Sequence, residues 1–514
     1  MATTVPGRAG SGLEAVSGGP AEAPGRQGEA QRTVTTQVPA RLDRLPWSRF
    51  HWLVVIGLGT AWILDGLEVT IVGAIAPRMT EAGSGITISS AQIGLAGAVY
   101  VAGACLGALV FGQLTDRFGR KRMFLWTLAL YLGATALTAL AFSPWYFFVF
   151  RFLTGAGIGG EYAAVNSAID ELIPARRRGA VDLVVNGSYW LGSAAGSAAA
   201  IALLNTAWLP TDVGWRLGFA LGVALAVAVL VVRHYVPESP RWLVIHGHEQ
   251  EAERLVADIE RDVEERTGRT LDPVDKSLTI LQRATIPLRE IAAAAVRRYP
   301  RRSALALVLF VGQAFIYNGI TFNLGTLVST FYHVPSGSVP IFIILYALAN
   351  FAGPLTLGRL FDSVGRKPMI AGTYALSAVL GLLLAALFAR AALTEWTFIA
   401  LVMATFFVAS AGASAAYLTA SEIFPMETRA MAIAFYYAVG TAVGGIVGPL
   451  LFGELIGSGE PGTVAVAFTI GSVVMALGAV AELAWGVAAE RRSLEDIATP
   501  LTARVPSQSA TAGA

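Results

Sequence analysis

The chain has 514 residues, of which 55% are hydrophobic and only 14% are charged. Its mean hydropathy of +0.60 is far above that of a soluble globular chain and indicates an integral membrane protein. The net charge of +2, carried in short scattered basic clusters, argues against nucleic-acid binding, and the single cysteine, Cys105, excludes an intrachain disulfide and a thiol-rich metal site.

Residues 1–45 are rich in Gly, Ala, Pro and Arg and contain no apolar block, so we predict a disordered tail and not a secretory signal. The first half of the membrane region, 46–235, contains apolar segments near the length of roughly 20 residues that a bilayer core requires. We predict six spans in this half, at 51–77, 91–113, 123–142, 145–170, 180–205 and 214–235.

A segment dense in charges of both signs, 236–302, follows and is predicted to be a helical connector. At its start, Ser239 is expected to cap a short helix that begins at Pro240, while Pro237 ends the sixth span. The second half, 303–490, repeats the pattern of the first. We predict its spans at 303–331, 339–360, 369–390, 395–420, 430–455 and 463–488, followed by a disordered tail at 491–514.

Basic residues alternate from one end of the predicted spans to the other. Clusters follow the second, fourth and eighth spans, whereas the loops 78–90 and 332–338 carry almost no Lys or Arg. The positive-inside rule then places both termini in the cytoplasm of a multi-pass protein of the cell membrane.

Two motifs occur once in each half. "GQLTDRFGRKR" at 112–122 corresponds to "GRLFDSVGRKP" at 358–368, and "ELIPARRRGA" at 171–180 corresponds to "EIFPMETRAM" at 422–431. Two similar six-span halves in the same orientation are typical of a secondary transporter whose substrate binds near the midplane between them.

These motifs resemble the signature loops of the major facilitator superfamily. "RFLTGAGIGGEY" in the fourth span and "PESPRWL" after the sixth are similar to those of its sugar porters and metabolite:proton symporters, and the resemblance covers residues 46–490. It implies an all-α integral membrane fold, with twelve transmembrane helices in two pseudo-symmetric six-helix bundles that alternate access to a central site.

The resemblance also implies a cytoplasmic gate made of ion pairs that latch the two halves in the outward-open state. The alternative is that these charges only anchor the topology. The residues concerned are Asp116, Arg120, Glu171, Arg178, Asp362, Arg366, Glu422 and Arg429.

Ionisable side chains inside the spans are candidates for proton coupling, because buried charge is costly in a bilayer. Asp65 and Glu68 lie three residues apart and share one helix face. Glu68 and Arg151 both lie about 10 Å from the outer ends of their spans, at pairing depth. They occupy the positions of an Asp and an Arg in proton-coupled sugar porters. The alternatives are a static ion pair and, for the deeper Glu161, a packing carboxyl.

Neutral polar residues supply the expected substrate site. By resemblance to sugar porters, the substrate-binding positions fall on Asn186, Gln313, Asn318, Asn350 and Tyr417. Amides and an aromatic face suit a hydroxyl-rich solute, although each amide alone could equally join two helices. The family's first Gln of span seven is Gly312 here, and its Asn and Trp of span eleven are Gly440 and Thr441, so a hexose site is incomplete.

We therefore expect proton-coupled import of a small polar solute, a sugar or sugar-like molecule, by alternating access. The alternatives are a proton symporter of an organic acid or zwitterion, an uncoupled facilitator, a nonconducting sensor and a proton-driven exporter. No catalytic or metal-binding constellation is evident, so we expect no enzyme activity, no cofactor and no metal site. The expected partners are substrate, protons and membrane lipid, but not nucleic acid, and we expect a monomer.

Overall fold

The computed structural model describes residues 33–498 apart from positions 80, 82, 89, 175, 234–237, 282–296, 336, 426–428 and 493. Pro237 therefore lies outside the described residues. The described part of the chain is almost entirely helical and consists of two bundles joined by a small polar unit.

The first bundle contains six long helices that pack side by side. They are α2 (Arg49–Met79), α3 (Ser90–Phe118), α4 (Arg120–Ala139), α5 (Pro144–Leu172), α6 (Arg178–Leu203) and α7 (Thr211–Arg233), and they follow a short helix, α1 (Val38–Asp43). Each of the six predicted spans of the first half overlaps one of them.

The second bundle repeats this order with one interruption. Its helices are α10 (Pro300–Tyr332), α11 (Val339–Ser363), α12 (Arg366–Ala389), α13 (Glu395–Glu422), α14 (Arg429–Gly440), α15 (Ile446–Ile456) and α16 (Pro461–Trp485), and a short α17 (Leu494–Ile497) follows. A π-helical turn at Thr441–Gly445 joins α14 to α15 within a single span. The sequence predicted an unbroken helix there; such wide turns are frequent at functional sites.

The architecture is the expected membrane fold of twelve spanning helices in two bundles. By length and hydropathy alone, nine helices in the described part of the chain can cross a membrane. The other three, α5, α6 and α7, pack within the first bundle, where α5 carries the buried charges Arg151 and Glu161.

Glycines allow very close approach of α3 and α5. A Cβ atom at Gly155 would lie 2.1 Å from the carbonyl oxygen of Tyr100, and one at Gly159 would lie 2.0 Å from that of Ala104. Small residues at this spacing let helix backbones pack in direct contact in a membrane. The run "GAGIGG" is therefore a packing surface.

A small polar unit packs at the basic end of the bundles, the end that carries Phe118, Arg178 and Arg366. It contains α8 (Pro240–Ile245), α9 (Glu249–Thr267) and an antiparallel pair of short strands, β1 (Thr33–Thr36) and β2 (Leu278–Leu281). The Ser239 side chain accepts a hydrogen bond from the backbone N–H of Trp242, which confirms the predicted N-cap.

Residues 33–45 are ordered, although the composition predicted that they belong to a disordered tail. Val38, Leu42 and Leu45 pack with apolar residues of α8 and α9. Arg41 forms hydrogen bonds from Nε and Nη2 to the Glu260 carboxylate at 3.0 and 2.6 Å. Three apolar residues separated by polar ones are too few to register as a hydrophobic block, yet they suffice when a partner surface is present.

Candidate functional site

A cavity of about 130 Å³ lies between the two bundles near the middle of the helices. Both halves contribute to its wall. The first half supplies Trp62, Val69, Tyr100, Val101, Ala104, Tyr162, Asn186, Tyr189 and Trp190, and the second supplies Gln313, Tyr317, Asn318, Thr321, Phe322, Ser410, Ala413, Ser414, Tyr417, Tyr437 and Thr441. No charged side chain is among these residues.

Aromatic rings form most of this wall and join the two halves across it. Trp62 stacks on Tyr162 with ring centroids 4.4 Å apart, and Tyr162 meets Tyr437 of the second half edge-on at 5.0 Å. Trp190 lies 5.6 Å from Tyr317 of the second half. Of this set only Tyr417 was predicted from the sequence; a count of aromatic residues within the spans would have found others. The rings create flat apolar walls suited to another ring.

Four of the five predicted substrate residues line the cavity: Asn186, Gln313, Asn318 and Tyr417. The Asn318 amide donates to the carbonyl of Ala314 on its own helix at 2.9 Å, which leaves its carboxamide oxygen directed elsewhere. Gln313 forms no hydrogen bond to the described residues. These amides therefore offer both donors and acceptors to a solute.

The fifth predicted residue, Asn350, does not line the cavity. It is fully buried on α11, where its Nδ2 donates to the carbonyl of Tyr346 at 2.8 Å and its Oδ1 accepts from the hydroxyl of Tyr317 at 2.8 Å. Asn350 thus lies behind the wall and holds Tyr317, which does face the cavity. The resemblance to sugar porters predicted that Asn350 contacts substrate, whereas in this structure Asn350 contacts Tyr317, a residue of the cavity wall.

The structure brings Glu68 and Arg151 together. Arg151 Nη1 lies 3.2 Å from Glu68 Oε1, and both side chains are 1% exposed. The same oxygen accepts a hydrogen bond from the Thr135 hydroxyl on α4 at 2.9 Å. Glu68 Oε2 has no partner among the described residues and lies against Gly222 of α7, where a Cβ atom would stand 2.9 Å away.

Asp65 and Glu161 form a second buried acidic cluster. Both carboxyl groups are at most 1% exposed, they lie within electrostatic reach of each other, and the Tyr131 hydroxyl faces Asp65. Tyr131 and Thr135 lie one turn apart on α4, matching the three-residue spacing of Asp65 and Glu68 on α2. Neither Tyr131 nor Thr135 was predicted from the sequence, although two polar residues one turn apart on the apolar helix α4 are a visible signal.

Tyr100 separates the ion pair from the cavity. Its ring lines the cavity on one side, and the guanidinium carbon of Arg151 lies 4.6 Å from its centroid on the other. A cation over an aromatic face in a desolvated site is held by about 2 kcal/mol. The cavity is therefore uncharged at its surface but has a cation directly behind one ring.

Three of the predicted gate residues form a cluster at the basic end of the second half. Arg366 donates from Nε and Nη2 to the two oxygens of Glu422 at 3.0 and 3.1 Å. Its Nη1 donates to Asp362 Oδ1 and to the carbonyl of Phe361, both at 2.7 Å. Arg366 is 2% exposed, and its charge is fully compensated by these acceptors.

This cluster contacts the first half at the start of α6. Asp362 Oδ2 accepts a hydrogen bond from the backbone N–H of Ala180 at 2.9 Å. The N–H groups of a first helical turn have no partner within their own helix, and negative charge is favoured there. A Cβ atom at Gly179 would lie 2.5 Å from Arg366 Nη1. Asp362 therefore caps a helix of the opposite half.

The remaining predicted gate residues are placed differently. Arg178 is buried, and its Nη2 lies 3.5 Å from Asp43 Oδ1, on the segment that the sequence assigned to a disordered tail. Glu171 is also buried at the end of α5. The side chains of Asp116, Arg120 and Arg429 lie outside the described part of the structure.

A family model described as sugar (and other) transporter matches residues 38–499, most of the chain. The chain belongs to this family. Its relatives are transporters, so this member is a membrane-embedded transporter of a small molecule and not an enzyme.

The similar proteins include transporters of ring-containing acids, by sequence, and a sugar symporter, by structure. It is 28% identical over 413 residues to the niacin transporter NiaP of Acinetobacter baylyi, covering 80% of this chain and 89% of NiaP. It is 28% identical over 222 residues to the 4-hydroxybenzoate transporter PcaK of the same organism, covering 43% and 47%. The proton:xylose symporter XylE superposes with a TM-score of 0.69 at 18% identity, covering 87% of this chain and 98% of XylE. This likeness establishes the major facilitator fold.

Proposed function

We propose that this transporter imports a small organic acid built on one planar ring, together with protons. The observation that carries the proposal is the size and wall of the central cavity. At about 130 Å³ it is close to a cavity of about 150 Å³ that binds benzene. Aromatic rings in its wall, such as Trp62 and Trp190, suit a flat solute, because ring stacking is favoured at centroid distances of about 4.5–7 Å.

The acidic substituent is proposed from the groups around that cavity. Gln313 and Asn318 can donate hydrogen bonds to a carboxylate, and Arg151 lies behind Tyr100, where its charge favours an anion. NiaP and PcaK transport niacin and 4-hydroxybenzoate by name, and each of these compounds is a single ring bearing a carboxylate. Both relatives therefore support this substrate class.

A sugar or sugar-like solute is the second candidate. The three amides Asn186, Gln313 and Asn318, with the aromatic face of Tyr417, offer the donors and acceptors that a hydroxyl-rich ring requires. The structural likeness to XylE agrees with this candidate at the level of the fold only.

Proton coupling is assigned to the buried carboxyls of α2 and α5. Glu68 pairs with Arg151 at 3.2 Å, and Asp65 lies near Glu161. A carboxylate that loses its cation in a low-dielectric interior favours the protonated form, so separation of this pair as the helices rearrange would drive proton uptake or release. A static ion pair in an uncoupled facilitator is the alternative.

The orientation and the gate complete the proposal. The basic end faces the cytoplasm of a monomer in the cell membrane, with both termini on that side, as the positive-inside rule predicts. The Asp362, Arg366 and Glu422 cluster is proposed to close this end through its contact with α6. Glu171 and Arg178 belong to the same proposed gate, together with Asp116, Arg120 and Arg429.

The test uses purified protein in proteoliposomes that contain a pH-sensitive dye. Nicotinate, 4-hydroxybenzoate, xylose and glucose are added outside, and Glu68→Gln is compared with Glu265→Gln, which removes an exposed carboxylate on α9. We expect aromatic acids to acidify the interior of wild-type and Glu265→Gln vesicles but not of Glu68→Gln vesicles. Acidification by the sugars alone would favour the second candidate, and labelled uptake without acidification would refute proton coupling.

A further inference from the structure

A second, larger cavity lies at the basic end, where α2 and α6 of the first half meet α11 of the second. It measures about 960 Å³ and opens between the two halves. Its wall includes four arginines, Arg176, Arg177, Arg359 and Arg491, and two large apolar side chains, Trp52 and Leu355. We call it the arginine groove. It is separate from the central cavity in which the substrate is proposed to bind.

The arginine groove carries positive charge that no carboxylate among the described residues pairs with. None of its four arginines pairs with a carboxylate in the described part of the chain. Among the described wall residues the one acidic side chain is Asp362, whose two oxygens already accept hydrogen bonds from Arg366 and from the N–H of Ala180. Since several guanidinium groups surround one space, the groove suits an anion with several oxygen acceptors.

The apolar part of the wall shows that a soluble anion alone would not fill the groove. Trp52 is 54% exposed and Leu355 is 49% exposed. Leu355 lies four residues before Arg359 on α11, so it is about 6 Å further from the basic end. The groove therefore has a charged mouth and an apolar side, and α11 contributes to both through Arg359 and Leu355. An occupant with a phosphate head and a hydrocarbon chain matches both parts.

We propose that the arginine groove binds an anionic phospholipid, with the headgroup phosphate against the arginines and an acyl chain along Trp52 and Leu355. Basic pockets between transmembrane helices are known recognition sites for such headgroups. Arg177 belongs to the first half and Arg359 to the second. A lipid bound to both bridges the halves beside the contact between Asp362 and Ala180, and so stabilises the arrangement in which the basic end is closed.

The experiment measures retention of phosphatidylglycerol and phosphatidylcholine on the purified full chain by native mass spectrometry. The double variant Arg177→Gln/Arg359→Gln is compared with Arg122→Gln/Arg301→Gln, which removes two exposed arginines from the basic ends of α4 and α10. Each arginine that contacts the anionic headgroup is expected to contribute about a fivefold factor, from about 1 kcal/mol per basic residue. We expect phosphatidylglycerol to bind roughly 20- to 30-fold more weakly to the groove variant and within about twofold of wild type to the control variant.

Three results would overturn the proposal. The first two are equal losses of phosphatidylglycerol binding in the two double variants, which general surface charge would explain, and no loss in either variant. The third is displacement of phosphatidylglycerol by equimolar glycerol 3-phosphate, since the acyl chain would then contribute nothing to binding. Melting curves in phosphatidylcholine check folding. If the double groove variant does not fold, Arg359→Gln alone is used, because its side chain is exposed; retention as in wild type would then count against the groove.

Discussion

The contact between Asp362 and α6 makes a quantitative prediction about the closed basic end. Asp362 Oδ2 accepts from the N–H of Ala180 in the opposite half at 2.9 Å, and Oδ1 accepts from Arg366 at 2.7 Å. Asp362→Asn keeps the size of the side chain but removes its charge. The carboxamide has one oxygen, so it can accept from either Ala180 or Arg366 at these positions, while its NH₂ group faces the other donor.

The free energy that Asp362→Asn removes from the closed basic end depends on which of these contacts joins the two halves. Arg366 and Glu422 belong to the same half as Asp362, so their interactions are largely retained when the halves separate. The bond to Ala180 crosses. A hydrogen bond to a charged group contributes about 1.5–3 kcal/mol, and negative charge at a helix N-terminus about 0.3–1 kcal/mol. A loss of about 2 kcal/mol is a roughly 30-fold shift toward halves that are separated at the basic end.

The assay is pulsed electron–electron double resonance, which gives the distance distribution between two spin labels. The labels are attached to cysteines introduced at Arg122 and Arg301 in a Cys105→Ala background. These positions are exposed on different halves. We expect Asp362→Asn to transfer population from the short to the long distance. Ser363→Asn is the matched control, since Ser363 is the exposed neighbour of Asp362. Identical distributions for the two variants would show that the cap does not hold the halves together.

Two further predictions concern packing and the polar unit. Gly192→Ala should destabilise the protein by about 3 kcal/mol, because its Cβ atom would stand 1.7 Å from a carbonyl oxygen of α2. The control is Gly133→Ala, whose Cβ atom meets nothing within 4 Å. The melting temperature in detergent should fall in the first variant and stay unchanged in the second. Burial raises the pKa of Glu260, but hydrogen bonds from Arg41 and Arg44 outweigh it and hold that pKa below its usual value of 4.5. Its stabilising contribution is thus present above pH 4.5 and is lost as the pH falls through the lowered pKa. We therefore expect backbone amide hydrogen exchange in α1, residues 38–43, corrected for the intrinsic rate, to rise at low pH in wild type. In Glu260→Gln the same exchange should change less.

The sequence predicted the membrane fold because its signals are local. A bilayer imposes a minimum length on each apolar segment, so span positions can be read from composition. The pairing of Glu68 with Arg151 was also accessible, because depth along a helix follows from residue count. The π-helical turn at Thr441–Gly445 was not accessible, since nothing in "TAVGG" distinguishes it from ordinary helix.

The side-chain layer around the cavity depends on helix rotation and tilt, which the sequence does not specify. Asn350 and Gln313 both occupied substrate positions by resemblance, but only Gln313 lines the cavity. The cap on α6 was missed for a similar reason: it joins a side chain at 362 to a backbone N–H at 180, and no pattern within either segment reports the other. Asp43 likewise reaches Arg178 only because α1 folds back onto the bundle.

The closed basic end is formed by α6, which also lines the cavity, and by α11, which supports the cavity wall from behind. On α6, the capped first turn lies nine residues from Tyr189, about 14 Å along the axis. On α11, Asp362 lies twelve residues, about 18 Å, from Asn350, which holds Tyr317 in the wall. A ring bound between Tyr189 of α6 and Tyr317, which Asn350 of α11 holds, therefore contacts or is braced by the two helices whose other ends form the bond between Ala180 and Asp362. Under the proposed function, substrate binding is thus expected to change the stability of the closed basic end.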